Sequence, residues 1–133
     1  EQALVKFKKV VAEYPNSPES LEAVSTARLI YVDNGKVDEY ADWVKTLSFV
    51  EVSNADLDND TYESAEKQYL QNNAKQAISG FISYVSKFPN GLHALKANFY
   101  LAQLYFADNL EYQKRIPSYF FSSSDMCNNG LSV

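Results

Sequence analysis

The chain is poor in the residues that site chemistry most often needs. It has one cysteine, one histidine, one methionine and one tryptophan in 133 residues. The single cysteine, Cys127, cannot close an internal disulfide, and a secreted protein need not have one, so the redox compartment stays open. No histidine lies near Cys127 in sequence to activate it as a nucleophile. His93 has no second histidine or cysteine cluster with which to form a metal site. Its place beside a Pro-Gly turn reads as solvent-facing or adjacent to a helix cap. There is no Gly-rich phosphate loop and no Gly-x-Ser-x-Gly turn. The reading is a protein without catalytic residues, cofactor or metal.

Basic charge is also scarce. Lys and Arg total 12 against 17 Asp and Glu, a net charge of -5. A phosphate backbone needs a basic patch, so nucleic acid is not the expected partner. No apolar run approaches the ~18–20 residues that span a bilayer as a helix, and no signal peptide is visible. The chain begins at Glu1, without Met and already inside a helical pattern. It reads as an internal piece of something longer. Asp56, Asp58 and Asp60 have the spacing of a calcium loop's first ligands, but that loop needs Gly at its sixth position and Glu at its twelfth. Thr61 and Lys67 stand there instead, so the trio reads as a polar loop ending in a helix cap.

What the chain has in quantity is aromatic side chains, 10 Tyr and 8 Phe, and a repeat. Stepping by 37 residues, Ala3 lands on Tyr40 and Ala77, Phe7 on Val44 and Phe81, and Val10 on Leu47, Tyr84 and Phe121. The turn residues Gly35, Asn72 and Asn109 share the same period. Gly and Asn tolerate the left-handed backbone that ends a helix. Each period divides into two helices. Ser17-Pro18-Glu19 is a strong helix start, and Tyr14-Pro15 and Phe88-Pro89 are stops. The expected helices cover about 1–14, 18–33, 36–49, 61–71, 74–88 and 92–107. Asp60 with Glu63 would cap the fourth, a last helix would start at Tyr112, and 50–60 would be irregular or briefly extended. Short links force antiparallel neighbours, and stacked pairs bury what one pair cannot. The expected fold class is all-α: antiparallel helix-hairpin repeats in an α-solenoid.

These residues resemble tetratricopeptide (TPR) repeats. Ala65 and Ala102 match the family's small position in the first helix, and Arg28 departs from it. Gly35, Asn72 and Asn109 match its turn. Ala3, Phe7 and Pro15, and again Ala77, Phe81 and Pro89, match its second helix. The texts YPNSPESLEA and FPNGLHALKANFYLAQLYF are similar to repeats of bacterial cell-envelope TPR proteins, such as the TolA-binding and outer-membrane assembly lipoproteins. VDEYADWVKTL and the 50–60 insertion resemble a long multi-repeat TPR protein of Bacteroidetes type. The resemblance implies a right-handed superhelix over 1–121, with a half repeat at 1–15 and repeats at about 18–52, 60–90 and 92–121. Residues 122–133 read as a divergent or disordered tail.

The resemblance also implies a periplasmic or cell-envelope location and a binding function for a peptide or helix of a protein partner. First helices line the concave face of a TPR array. By register that face carries Ser25, Leu29 and Val32, then Tyr62, Glu66 and Tyr69, then Phe99, Gln103 and Phe106. The expected partner-binding residues are Tyr62, Glu66, Tyr69, Phe99, Gln103 and Phe106. Exposed repeat ends add a route to self-association. Two rival readings are a glycan-capturing lipoprotein segment, which would need an aromatic platform around Trp43, and a structural spacer.

Overall fold

The computed structural model of the chain describes residues 1–115. Among them are six α-helices and no strand: α1 (Gln2–Glu13), α2 (Pro18–Asp33), α3 (Val37–Val44), α4 (Asn54–Leu70), α5 (Ala74–Lys87) and α6 (Ala94–Arg115). The all-α class is as the periodicity predicts. Consecutive helices pack in two runs, α1–α2–α3 and α4–α5–α6, and α4 joins the runs by packing on α2 and α3.

Local chemistry explains the elements that match expectation. Ser17 accepts from the Ser20 N–H at 3.1 Å, and Pro18 opens α2. Gly35 ends that helix at φ +71°, and the Lys36 N–H reaches back to the Tyr31 carbonyl at 2.8 Å. One period later Asn72 has φ +61°, and the Asn73 N–H reaches the Gln68 carbonyl at 2.9 Å. Both are the same left-handed closure, in which the turn satisfies a carbonyl the helix leaves open.

Three expectations fail. The third helix stops at Val44 rather than near residue 49, because Leu47, Phe49, Val50 and Val52 leave the helical path to pack on the first core. The fourth helix starts at Asn54 rather than near 61. Its cap is Ser53, whose Oγ accepts from the Asp56 N–H while Asp56 Oδ2 accepts from the Ser53 N–H, both at 3.1 Å. This capping box, not Asp60 with Glu63, opens α4. The Asp108-Asn109 turn does not form, and α6 runs through it to Arg115. Asn tolerates a turn without imposing one. Of the helix expected at Tyr112, residues 112–115 belong to α6. Its remainder, the 122–133 tail and Cys127 lie outside the described residues.

Two cores result, with no residue in common. The first gathers Val11, Ala23, Val24, Tyr31, Tyr40 and Val44. The second gathers Tyr62, Ala65, Ala77, Phe81, Tyr84, Ala97 and Leu101. The repeat's aromatic positions, Phe81 and Tyr84, are fully buried in the second. Burying a side chain of the size of Phe stabilises by roughly 1.5–3 kcal/mol. Polar ties link the two runs. Arg28 holds Asp60 with two bonds of 2.8 and 2.7 Å, and Lys67 pairs with Asp33 and Lys87 with Asp38.

Candidate functional site

The helical period places Tyr62, Glu66 and Tyr69 on one side of α4, and Lys96, Tyr100 and Gln103 on one side of α6. The two rows face each other as a ladder. Lys96 Nζ donates to Glu66 Oε1 at 2.8 Å, and the Tyr62 hydroxyl donates to the same oxygen at 2.7 Å. Further along, the Tyr69 hydroxyl donates to Gln103 Oε1 at 3.2 Å. The Tyr69 and Tyr100 rings stack with centroids 4.4 Å apart. Lys96 Nζ lies 5.5 Å from the Tyr62 ring centroid and 5.6 Å from that of Tyr100, within cation–π range.

Charge is settled along this ladder. Burial pushes Glu66 up, but hydrogen bonds from Lys96 and Tyr62 outweigh it and hold the carboxyl below its ordinary value. The bond to Glu66, with one to Tyr62, raises Lys96. Burial, then the bond to Glu66, raises Tyr62. The pair is therefore ionised at neutral pH beside a neutral phenol, and its partly exposed edge offers both signs of charge.

One end of the ladder is fixed from below. The Tyr84 hydroxyl donates to Asp58 Oδ1 at 2.5 Å in the interior. Asp58 Oδ2 accepts from the Leu92 N–H at 3.1 Å, and Tyr84 Oη accepts from the His93 N–H at 2.9 Å. These bonds hold the turn that launches α6. Gly91 belongs there because a Cβ would lie 2.5 Å from Tyr84 Oη and 2.7 Å from Asp58 Oδ2. Burial first, then the bond to Asp58, pushes the Tyr84 phenol up to about 12.

The sequence-derived residues fall into three groups. Glu66, Tyr69 and Gln103 meet in the ladder. Tyr62 does not line a surface: it is 3% exposed, because His93 stacks on its ring at 4.2 Å and Lys96 crosses it. Phe99 and Phe106 are open to solvent on the side of α6 turned away from the core. In the first run, Ser25 and Leu29 are exposed and Val32 is buried. The Ser25 hydroxyl is spent on the Leu21 carbonyl.

Neighbouring positions in sequence gave Trp43 no aromatic partner, yet the fold supplies two. Tyr31 and Tyr40 stand 6.3 and 6.4 Å from it. Lys8 Nζ lies over the Tyr31 and Trp43 rings at 5.4 and 5.2 Å. His93 is not simply solvent-facing, since it packs on Tyr62 with Nε2 3.1 Å from Asn59 Oδ1. The acidic trio is divided among separate partners: Asp56 caps α4, Asp58 holds Tyr84 and Leu92, and Asp60 holds Arg28. Periodicity could not find Lys96 and Tyr100, because each acts through a contact made by the fold. Among the described residues no group of His, Cys, Asp and Glu could hold a metal ion, and no helix is long and apolar enough to cross a membrane. No protein-family model, curated protein or solved structure matches the chain.

Proposed function

We propose that the chain is a non-catalytic protein–protein interaction scaffold of tetratricopeptide type. It takes a peptide or helix of a partner along the α4–α6 ladder. The observation that carries this reading is the ladder's composition. Tyr69, Tyr100, Glu66, Lys96 and Gln103 form a line of aromatic faces, one amide and a paired charge, half open to solvent and held by mutual bonds. Such a surface suits an extended peptide, whose backbone needs hydrogen-bond partners and whose side chains need ring faces. Tyr offers both a ring and a hydroxyl, which is why it recurs at binding surfaces.

The matching left-handed turns at Gly35 and Asn72 support the repeat reading. The linker texts quoted above support a bacterial envelope location by resemblance. The glycan reading is weakened because Tyr31 and Tyr40 are buried and Lys8 already crosses the Trp43 ring.

The test is a crosslinking pull-down from a bacterial envelope fraction, read by mass spectrometry. Tyr69→Phe combined with Gln103→Ala serves as control. That change removes the ladder's outer hydrogen bond and keeps the ring that packs on Tyr100. Partners enriched by the wild type and lost in the variant are expected. Equal recovery by both would place binding elsewhere. An empty eluate from a folded bait would favour the spacer.

A further inference from the structure

Helix α6 has two apolar stripes. One faces the second core through Ala97, Leu101 and Leu104. The other runs along the opposite side: Leu95, Phe99, Ala102, Phe106 and Leu110. It is open to solvent, with Leu95 87% and Phe106 66% exposed. Isolated exposed hydrophobics need no explanation, whereas a continuous stripe marks a contact surface. Spacings of four, three, four and four residues are those of a helix–helix seam, so the occupant is an α-helix lying along α6.

The stripe also says which helix. Read in either direction its order is Leu, Phe, Ala, Phe, Leu. Turned end over end about a point between Ala102 and Gln103, the helix sets Leu95 against Leu110 of a second copy and Phe99 against Phe106. A two-fold interface requires such self-complementarity. The small residue falls beside the crossing, where the backbones come closest. From Ala97 to Ala107 α6 carries no charged residue, so nothing there sets like charges against each other when two identical helices meet. The outward side of α1 differs, with Lys6, Lys9 and Glu13 exposed.

We infer that the outward stripe of α6 is the interface of a two-fold dimer of this chain, its two α6 helices antiparallel and crossing beside Ala102. The inference stands apart from the ladder, which uses the neighbouring side of α6, and neither needs the other.

The test uses the full 133-residue chain. Sedimentation across a dilution series should give a dimer that dissociates on dilution. Phe99→Glu with Phe106→Glu should give a monomer whose helical signal and melting temperature match the diluted wild type, since both positions are exposed. In a Cys127→Ser background, Ala102→Cys should form an interchain disulfide on mild oxidation, and Phe99→Cys alone should not. A wild type that stays monomeric throughout overturns the proposal. So does a disulfide from Phe99→Cys alone, which means parallel helices. A chain that becomes dimeric only after removal of residues 116–133 also overturns it, because that segment would then be the occupant.

Discussion

Two hairpins of this chain have the same register and opposite solutions. In α4–α5 the contact is made by Ala65 and Gly80, and a Cβ on Gly80 would lie 2.8 Å from Ala65 Cβ and 3.1 Å from its Cα. One period earlier, in α2–α3, the same positions hold Arg28 and Trp43. Small residues let α4 and α5 pack backbone against backbone. Large ones cannot do that, and Trp43 instead joins Tyr31 and Tyr40 in a cluster of rings. Arg28 turns toward α4 and holds Asp60. The lesson is that a repeat position can serve the hairpin or the joint between hairpins. The side chain's size decides which.

The largest effects should come from breaking each solution at its own residue. Arg28→Ala leaves the Asp60 carboxylate, 1% exposed, inside without its cation. Removing one partner of a buried pair costs about 3 kcal/mol or more. Asp60→Ala should cost less, because the Arg28 side chain is 36% exposed and its guanidinium can turn to water. Combining the two changes should recover part of the loss, as measured by urea denaturation. If Arg28→Ala is nearly neutral, the joint does not rest on this pair.

Gly80→Ala tests the other hairpin. The exchange normally helps a helix by up to about 1 kcal/mol. Here the new methyl meets the methyl and backbone of Ala65, neither of which can swing away, so the helices must part. A net loss of about 1–3 kcal/mol is expected, and adding Ala65→Gly should restore most of it. The α3 counterpart, Trp43→Phe, should show no such rescue from Arg28.

How much of this was legible depended on whether both ends of an element carry a signal. Helix α2 was readable to the residue, since Ser17-Pro18 starts it and Asn34-Gly35 stops it. The start of α4 was not. Residues 50–63 contain two pairs with cap spacing, Ser53 with Asp56 and Asp60 with Glu63, and local rules do not choose between them. The fold chooses, because Asp58 and Asp60 must lie inside the helix to reach Tyr84 and Arg28. The same reason hid the burial of Tyr62. Its helical side was readable, but the His93 and Lys96 that close over it come from 31 and 34 residues further on. Tyr69 and Gln103 were both expected on the groove side, but their hydrogen bond was not readable, because the register aligns Gln103 with Glu66 and Tyr69 with Phe106. Arg28 was legible as a departure from the small residue of the repeat, without its partner.

The interior phenol separates the second run from the first at high pH. Tyr84→Phe removes the bond to Asp58 and leaves the His93 N–H without its acceptor, a loss of about 2 kcal/mol at neutral pH. Tyr84 titrates near 12 in the folded chain against 10.0 for an ordinary tyrosine. A group raised on folding contributes stability that is full below its unfolded value and lost as pH rises through the folded one. Wild-type stability should therefore fall between about pH 10 and 12, with Tyr62 adding to the same slope. Tyr84→Phe should flatten that fall. An unchanged alkaline slope would mean the phenol is open to water.

Smaller again is the cap of α4. Ser53→Ala removes one half of the capping box, at a cost of about 1 kcal/mol. Asp56 is held below 3.8, chiefly by the Ser53 hydroxyl. A lowered carboxyl contributes stability that is present above its unfolded value and lost as pH falls through the folded one. The variant should thus lose less stability than wild type below about pH 4. A variant whose acid loss equals that of wild type would mean Asp56 keeps its place without Ser53.

The smallest effect asks how far the two cores are separate. Lys87 on α5 reaches Asp38 on α3 across a cleft of about 530 Å³, floored by hydroxyl and amide side chains such as Ser64, Gln76 and Ser83. Asp38 is 75% exposed. An exposed pair contributes at most about 1 kcal/mol and is screened by salt. Lys87→Ala should therefore shift the urea midpoint slightly, and high salt should erase the difference. If the shift is larger and survives salt, the cleft shields the pair, and the two cores are coupled through it as well as through Arg28. If there is no shift at any ionic strength, this pair does not tie the runs, and the polar joint rests on Arg28–Asp60 and Lys67–Asp33.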